Sequence, residues 1–445
     1  MPALSVDDGA AGMDSLAFWW NAFRDPVLSR LIESGFESAP TVEAAVARLR
    51  AARALREGAE AAHLPQFTAG GDYTWSRRQG GGIRSGWEDG LGAHVSARWE
   101  ADLFGGVRRS VEKAEAEEAR LAYTLQEVRV SLAADIAAAY TDVRRCQARL
   151  AIANRNLQVQ ERSAELTRKR VEADSATRYD LTTAEAQVAR TQASIPTLEH
   201  QLVAAELKLD WLSGRVPFSS HDLLNNTGDT MFLPDQMPSN ALPNALLRRR
   251  ADIRAAEAAV RGQTAAIGIA EADIYPKFFL SGMIGVSSPD LAPLSAYTRS
   301  ASFGPSFSWN IFGFGTWRRR IESAKAHLDA SVADYRKTVL TAYRETAEAL
   351  DAYRRELNRT NALFEAREKT AQSLAIARKI FEAGESDIRE VLTQQRSLLT
   401  AEEAIADHRA GVFSNAIRLY RTLGGGWSDE PRPEDGGGAP DGREP

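Results

Sequence analysis

Six histidines, one cysteine and two clusters of charge are the residues whose types could carry chemistry in this chain. His63, His94, His200, His221, His327 and His408 show no helical spacing that would put two imidazoles on one metal ion. Cys146 stands alone, which excludes an intrachain disulfide and any thiolate metal cluster. It falls in a seam with Leu125, Val128, Leu132, Ala139, Val143, Leu150, Ala153 and Leu157, spaced by threes and fours, so a packed small hydrophobe is expected there. Gly313-Phe314-Gly315 lacks the Gly-Lys-Ser/Thr ending of a phosphate loop, and nucleotide binding is not expected. No catalytic, cofactor-binding or metal-binding set emerges, and the expectation is a protein that is not an enzyme. Charge does gather at two places. Arg178 and Asp180 follow one break in the helical pattern, and Glu385, Asp387, Arg389 and Glu390 follow another, with Arg170 and Glu382 just before the breaks. Such groups form ion pairs, and acids left unpaired favour cations.

The elements that position these charges are written twice. Residues 42–67 return as 253–278, so that Pro65 falls on Pro276 and Phe67 on Phe278. Each copy continues into two short alternating segments and a very long helical run, which replaces the three-domain prior of 445 residues by two copies of a unit of about 200. The first run, Val107 to Ala173, has no proline, and at about 1.5 Å per residue it would span on the order of 100 Å. A helix of that length must lie along a partner. A break at 173–177 leads to a return run from Arg178 to Ser213 with coiled-coil spacing, and Thr316 to Ala383, a break at Gly384-Glu385-Ser386 and a run to Leu423 repeat the hairpin. The organisation expected is an N-terminal segment over 1–38, a first repeat over 39–213, a linker over 214–248, a second repeat over 249–423 and a disordered tail over 424–445 rich in Gly, Pro and acids. Within the repeats, strands are expected at about 67–79, 92–104, 277–288 and 300–312, and hairpins over 107–213 and 316–423.

The strands bear on compartment. Phe67, Ala69, Gly71, Tyr73 and Trp75 alternate with mostly polar residues, and residues 93–103 alternate without error. Phe303, Pro305, Phe307, Trp309 and Ile311 repeat the pattern, while 278–286 is weaker, with Met283 on its polar side. Each segment has about the 9–11 residues of a membrane-spanning strand. Tyr73, Trp75, Val95, Ala97, Trp99, Phe307 and Trp309 are therefore candidates to face lipid, the aromatic ones as a girdle. The alternative is an ordinary sheet on helices with one wet face. Four strands cannot close a barrel, whereas three chains would supply twelve and leave a channel.

Other classes are disfavoured. The net charge is −5 with 26% charged residues and no polybasic block, which argues against nucleic acid as a partner. No run of 18 apolar residues forms a transmembrane helix. The opening MPALSVDDGAAGMDSLAFWW lacks the basic and apolar regions of a signal peptide, so either the chain is cytosolic or its export signal is missing from this version. Gly80-Gly81-Gly82 is expected to be a mobile hairpin loop.

Several motifs then occur in a recognisable order: Trp19-Trp20-Asn21-Ala22-Phe23-Arg24-Asp25-Pro26-Val27-Leu28, Trp99 to Gly105, Leu246 to Ile253, and Leu423-Gly424-Gly425-Gly426-Trp427. Over residues 15–427 the chain resembles the TolC-like outer-membrane efflux proteins, most of all the subgroup paired with resistance-nodulation-division pumps. That resemblance implies a mainly α fold with a small β part. As a homotrimer it would form a 12-stranded β-barrel in outer-membrane lipid continued by a 12-helix α-barrel in the periplasm. The implied function is a passive exit duct for small molecules, docked on a periplasmic adaptor protein and an inner-membrane resistance-nodulation-division pump. The hairpin tips, about 171–181 and 381–391, would meet the adaptor. Arg178, Asp180, Glu385, Asp387, Arg389 and Glu390 become candidates for a periplasmic gate, with Arg178 or Arg389 pairing across helices to Asp387 or Glu390. The chain departs from the family where Ala251 replaces a usual proline and where Ser386 and Thr393 stand in place of gating aspartates. It also lacks the lipidated cysteine of many relatives. A soluble coiled-coil scaffold or adaptor without a membrane barrel is the alternative reading.

Overall fold

The computed structural model describes residues 16–78, 86–225, 249–289, 298–313 and 315–427. The glycine-rich loop at 80–82, the first 15 residues, Phe314, residues 226–248 of the linker and the tail from 428 lie outside the described residues. A short 3₁₀ turn, Trp19–Phe23, leads into α1 (Pro26–Ser38) and α2 (Pro40–Ala61). Strands β1 (Gln66–Arg78) and β2 (Gly86–Ala101) precede α3 (Gly106–Glu172) and α4 (Arg178–Leu212). After a five-residue helix α5 (His221–Asn225), the pattern recurs as α6 (Ala251–Ala272), β3 (Lys277–Pro289), β4 (Thr298–Ser308), α7 (Thr316–Glu382) and α8 (Ile388–Thr422). Both outgoing helices have 67 residues and both return helices 35, so the duplication extends to element length.

The compact units do not follow the repeats. One gathers residues 46–124 and 252–338, and the other 1–45, 125–251 and 339–445, so each takes matching parts of both copies.

In the first of these units the four strands form one antiparallel sheet in the order β1-β2-β3-β4. The central pairing, β2 with β3, joins the two repeats. Strand β2 begins at Gly86 instead of about 92, and two C-terminal strand ends also differ from the sequence expectation. Strand β2 stops at Ala101 instead of running to 104, because the Asp102 carboxylate turns to accept from the backbone N–H of Val107 at 3.0 Å and of Arg108 at 2.8 Å. It thereby caps the first turn of α3, where four amides otherwise lack partners. Strand β4 stops at Ser308 instead of 312, and the next residue, Trp309, donates its indole N–H to the Ile274 carbonyl at 2.9 Å. Trp99 makes the equivalent bond in the first repeat from within β2, donating to the His63 carbonyl at 2.8 Å. Below the sheet, Glu118 of α3 takes ion pairs from Arg53 at 3.2 Å and from Arg56 at 2.5 Å.

In the second unit the N-terminal segment is a packed element. Trp19, Trp20, Phe23, Leu31 and Ile32 are all essentially inaccessible. Trp19 stacks on Tyr420 at 5.4 Å between ring centroids and Phe23 packs on Phe413 at 5.2 Å, both on α8. Burial of such side chains is worth roughly 1.5–3 kcal/mol each. Asp25 caps α1 through the amides of Val27 and Leu28 and also accepts from the buried Tyr140 hydroxyl. Two glycines hold equivalent posts after the return helices. Gly214 (φ +67°) and Gly424 (φ +73°) adopt the left-handed conformation, and an added Cβ would come within 2.2 Å of the Ser38 carbonyl oxygen or 3.0 Å of the Arg249 backbone. Cys146 is buried, and helix α4 runs unbroken through Pro196.

Candidate functional site: strand face and hairpin tips

Strand register decides which side chains share a face, because directly opposed residues of an antiparallel pair project to the same side. One row across the sheet reads Phe67, Ala97, Gly282, Phe303. The next row on that face reads Ala69, Val95, Ile284, Ala301, and the row beyond β1 reads Trp99, Leu280, Pro305. On the opposite face the rows are Thr68, Ser96, Met283, Ser302 and Gly70, His94, Gly285, Ser300. The weak alternation of β3 is thus resolved by its neighbours. Its two apolar exceptions sit on the polar face, where Phe279 is covered by the Arg98 guanidinium at 3.8 Å from the ring centroid.

The apolar face is bare in the single chain: Phe67 is 74% exposed, Ile284 64% and Phe303 78%. Aromatic residues mark its two ends. Tyr73 lies opposite Leu91 and donates its hydroxyl to Asp89 at 3.2 Å, while Trp75 packs on Trp87 at 4.5 Å. At the other end are Trp99 and Trp309, whose indole N–H groups are already satisfied by helix-end carbonyls, and Phe307, opposite Phe278. Val95 and Ala97 lie between these ends, and Trp309 follows the last residue of β4.

At the hairpin tips both turns close in the same way. The amide of Ser175 donates to the Arg170 carbonyl at 2.8 Å and that of Glu385 to Ile380 at 3.1 Å, with Asp174 and Gly384 at positive φ. Thr177 and Asp180 form a reciprocal capping box at the start of α4. At the equivalent place Asp387 caps α8 through the Arg389 amide at 3.0 Å and is ion-paired with the Arg389 side chain. The side-chain hydrogen bond from Arg389 first, and the Arg389 charge with it, hold the Asp387 carboxyl below its ordinary value, and Asp180 is close enough to add to the effect. The Arg389 guanidinium also lies 5.9 Å from the Tyr179 ring, which belongs to the other hairpin. Asp387 therefore pairs within its own turn. Glu390 accepts from Gln394 at 2.9 Å, and Arg178 and Glu385 make no ion pair among the described residues.

What joins the two tips is a contact that sequence reasoning did not foresee. Arg170, in the last turn of α3, donates to the Phe381 carbonyl at 2.8 Å and the Glu382 carbonyl at 3.1 Å, with its guanidinium 4.1 Å from the Phe381 ring. Both carbonyls lie at the end of α7, where a cation meets the negative end of the helix dipole, and that of Phe381 also accepts from the Gly384 amide at 3.0 Å. Beneath the clamp Ala164, Ala184, Leu374, Ala377, Phe381, Ile388, Val391 and Leu392 form a shared apolar core. Farther along, Gln395 donates to Ser163 at 3.0 Å and Arg396 to Gln187 at 2.8 Å.

A sequence model of the family described as outer membrane efflux protein matches residues 31–215 and 242–425, which takes in both repeats. The chain belongs to the outer membrane efflux protein family. This efflux protein is 30% identical over 422 residues to Nodulation protein T of Rhizobium leguminosarum bv. viciae, covering 94% of this chain and 86% of that one. It is 28% identical over 443 residues to the toluene efflux pump outer membrane protein TtgC of Pseudomonas putida, covering 96% and 88%. Among solved structures, the outer-membrane channel OprN superposes with a TM-score of 0.85 and 33% identity over 92% of this chain and 93% of that one. The fold is that of the TolC-like outer-membrane channels, as the sequence motifs led one to expect. Its place is the outer membrane, as part of an efflux system.

Proposed function

We propose that this efflux protein works as a homotrimeric, passive exit duct for small molecules. In this reading it passes compounds handed over by an inner-membrane resistance-nodulation-division pump through a periplasmic adaptor. The observation that carries the reading is the four-stranded sheet, with one continuous apolar face and with β1 and β4 each paired on one side only among the described residues. Unpaired strand edges do not survive in hydrocarbon, where every backbone group must be satisfied. A single sheet of four cannot close; three copies joined β4 to β1 give twelve strands, an even number wide enough for a water-filled lumen. The candidate lipid-facing residues Tyr73, Trp75, Val95, Ala97, Trp99, Phe307 and Trp309 then lie outside, and the row containing Ser96 and His94 lies inside. The hairpin tips are assigned to the gate and to the adaptor, with Arg178, Asp180, Glu385, Asp387, Arg389 and Glu390 ringing the opening three times over. Energy comes from the pump, so no catalysis is assigned to this chain. The soluble-scaffold alternative leaves the bare apolar face without a use.

The test is direct. Purified protein in detergent is expected to migrate as a trimer that heating dissociates, and to give stepwise conductance in a planar bilayer. A heat-independent monomer with no conductance would refute the duct.

A further inference from the structure

A cavity of about 670 Å³ opens between α3, α7 and α8, in the unit that contains the hairpin tips, and its chemistry is uneven. Five arginines line it, Arg144, Arg145, Arg155, Arg367 and Arg409, against one acid, Glu402. Arg145 pairs with Asp142 at 2.9 Å and Arg367 with Glu402 at 3.5 Å. Arg144 is buried and fixed: its guanidinium donates to the Tyr140 hydroxyl at 2.8 and 2.9 Å and to the Leu224 carbonyl at 3.1 Å. Arg155 and Arg409 make no ion pair among the described residues. The wall between these cations is apolar, built from Ile152, Ile405, Val412 and Phe413, all buried. At the mouth stands Phe364, 41% exposed, with the Arg409 guanidinium 5.8 Å from its ring centroid.

We propose that this cavity binds an aromatic amphiphile carrying a single anionic group, a carboxylate or sulfonate. Three features converge on that class. Arg155 and Arg409 line the cavity without an ion pair among the described residues, and a bound anion offers oxygens to their forked N–H donors. A planar apolar body fits an exposed phenyl ring and a buried aliphatic wall better than water does, because water finds no partner on either. The volume lies within the range of small-molecule sites, which combine an apolar lining with a few placed polar groups. Arg155 and Arg409 take the anion at the mouth, and Phe364 stacks on the ring. The inference does not depend on the duct reading, since it concerns one chain's own cavity.

The experiment uses the full-length protein held in lipid nanodiscs and titrated calorimetrically with 2-naphthalenesulfonate, with neutral 2-naphthalenemethanol as control. Saturable binding at one site per chain is expected, weakened at least tenfold by Arg155→Ala with Arg409→Ala and at least tenfold for the neutral alcohol. Both arginines are exposed, so the double variant should keep the wild-type oligomeric state, and Arg155→Lys with Arg409→Lys should restore part of the affinity. Absence of saturable binding to the wild type, which is also the result if a neighbouring copy fills the cavity, overturns the proposal. So does equal binding by the alanine variant or by the alcohol.

Discussion

Placing an arginine at Val95 tests the membrane face at its most sensitive point. On β2, Val95 lies four residues from Trp99 at one aromatic end and four from Leu91, the partner of Tyr73, at the other. Eight residues at about 3.3 Å each give roughly 26 Å along the strand. Tilted by about 35–45° as in membrane barrels, that becomes roughly 19–22 Å of height, close to the ~25 Å apolar band of such proteins. With the apolar face in lipid, as proposed, Val95 would sit near mid-depth, where an arginine costs about 2–4 kcal/mol per copy, or roughly 6–12 kcal/mol for a trimer carrying it three times. Ser96→Arg puts the same charge on the next residue of the same strand, opposite Thr68 and Met283 on the other face, and is expected to be tolerated. Trp99→Arg, at the band edge, should cost about 0–1 kcal/mol. The assay is the fraction of heat-dissociable trimer recovered after folding into liposomes over a urea series, with the three variants side by side. Normal assembly of Val95→Arg together with failure of Ser96→Arg would show that the faces have been assigned the wrong way round.

Three further outcomes are expected. Asp102→Ala removes the cap of α3 and should cost about 1 kcal/mol, read as a lower thermal midpoint by circular dichroism, whereas Asp102→Asn should recover most of it. Arg170→Ala releases the carbonyls of Phe381 and Glu382 and should raise single-channel conductance in planar bilayers more than Arg389→Ala does, because Arg389 pairs within its own turn; equal conductance for wild type and Arg170→Ala would exclude the clamp from gating. His221 has its pKa raised, chiefly by a hydrogen bond and the charge of the buried Glu206. Its contribution is thus fully present below the unfolded value near 6.5 and lost as pH rises through the higher folded value, so hydrogen-exchange protection at 219–225 should fall as pH rises above about 6.5 in wild type but not in His221→Gln.

Period and punctuation carried the elements that could be read from sequence. Long runs without proline, breaks at 173–177 and 384–386, and strict alternation over 93–101 are local signals, and they survive because each residue's environment follows from its neighbours along the chain. The early part of β2 was missed because Gly86, Gly90 and Gly92 carry no side chain to reveal an alternation. The pairing of β2 with β3, and with it the true face of Met283, depends on a partner nearly 190 residues away. The N-terminal segment was recognisable as a motif but not as a structure, since Trp19 needs Tyr420 to explain its burial. At the tips, types and positions of the charges were legible, but partners were not. Asp387 looked like one half of a cross-helix pair and is first of all a helix cap, and the acceptors of Arg170 are backbone carbonyls, which no residue type announces.

The duplication separates what the fold requires from what this chain adds. Where the demand is on the backbone, both copies keep the same device: Trp99 and Trp309 tether strand ends, Gly214 and Gly424 turn the chain after the return helices, and Thr177 and Asp387 cap them. Where a copy meets a different partner, the residues diverge. Glu206 and Asp210 in the first return helix, which hold His221 and the Ser220 amide, become Ala416 and Tyr420 in the second, where the aromatic N-terminal segment packs and burial pushes the Tyr420 phenol up to about 12. The tips follow the second rule. Arg170 corresponds to Ile380 and Phe381 to Val171, so the clamp runs in one direction only, from the first hairpin to the second. With identical tips, any link made between hairpins within a chain could form equally well between chains, and nothing would favour either arrangement. A one-way clamp breaks that degeneracy: the two hairpins of one chain are tied by two hydrogen bonds and a ring contact that the reversed pairing, with Ile380 and Val171 in those places, has no guanidinium or ring to make.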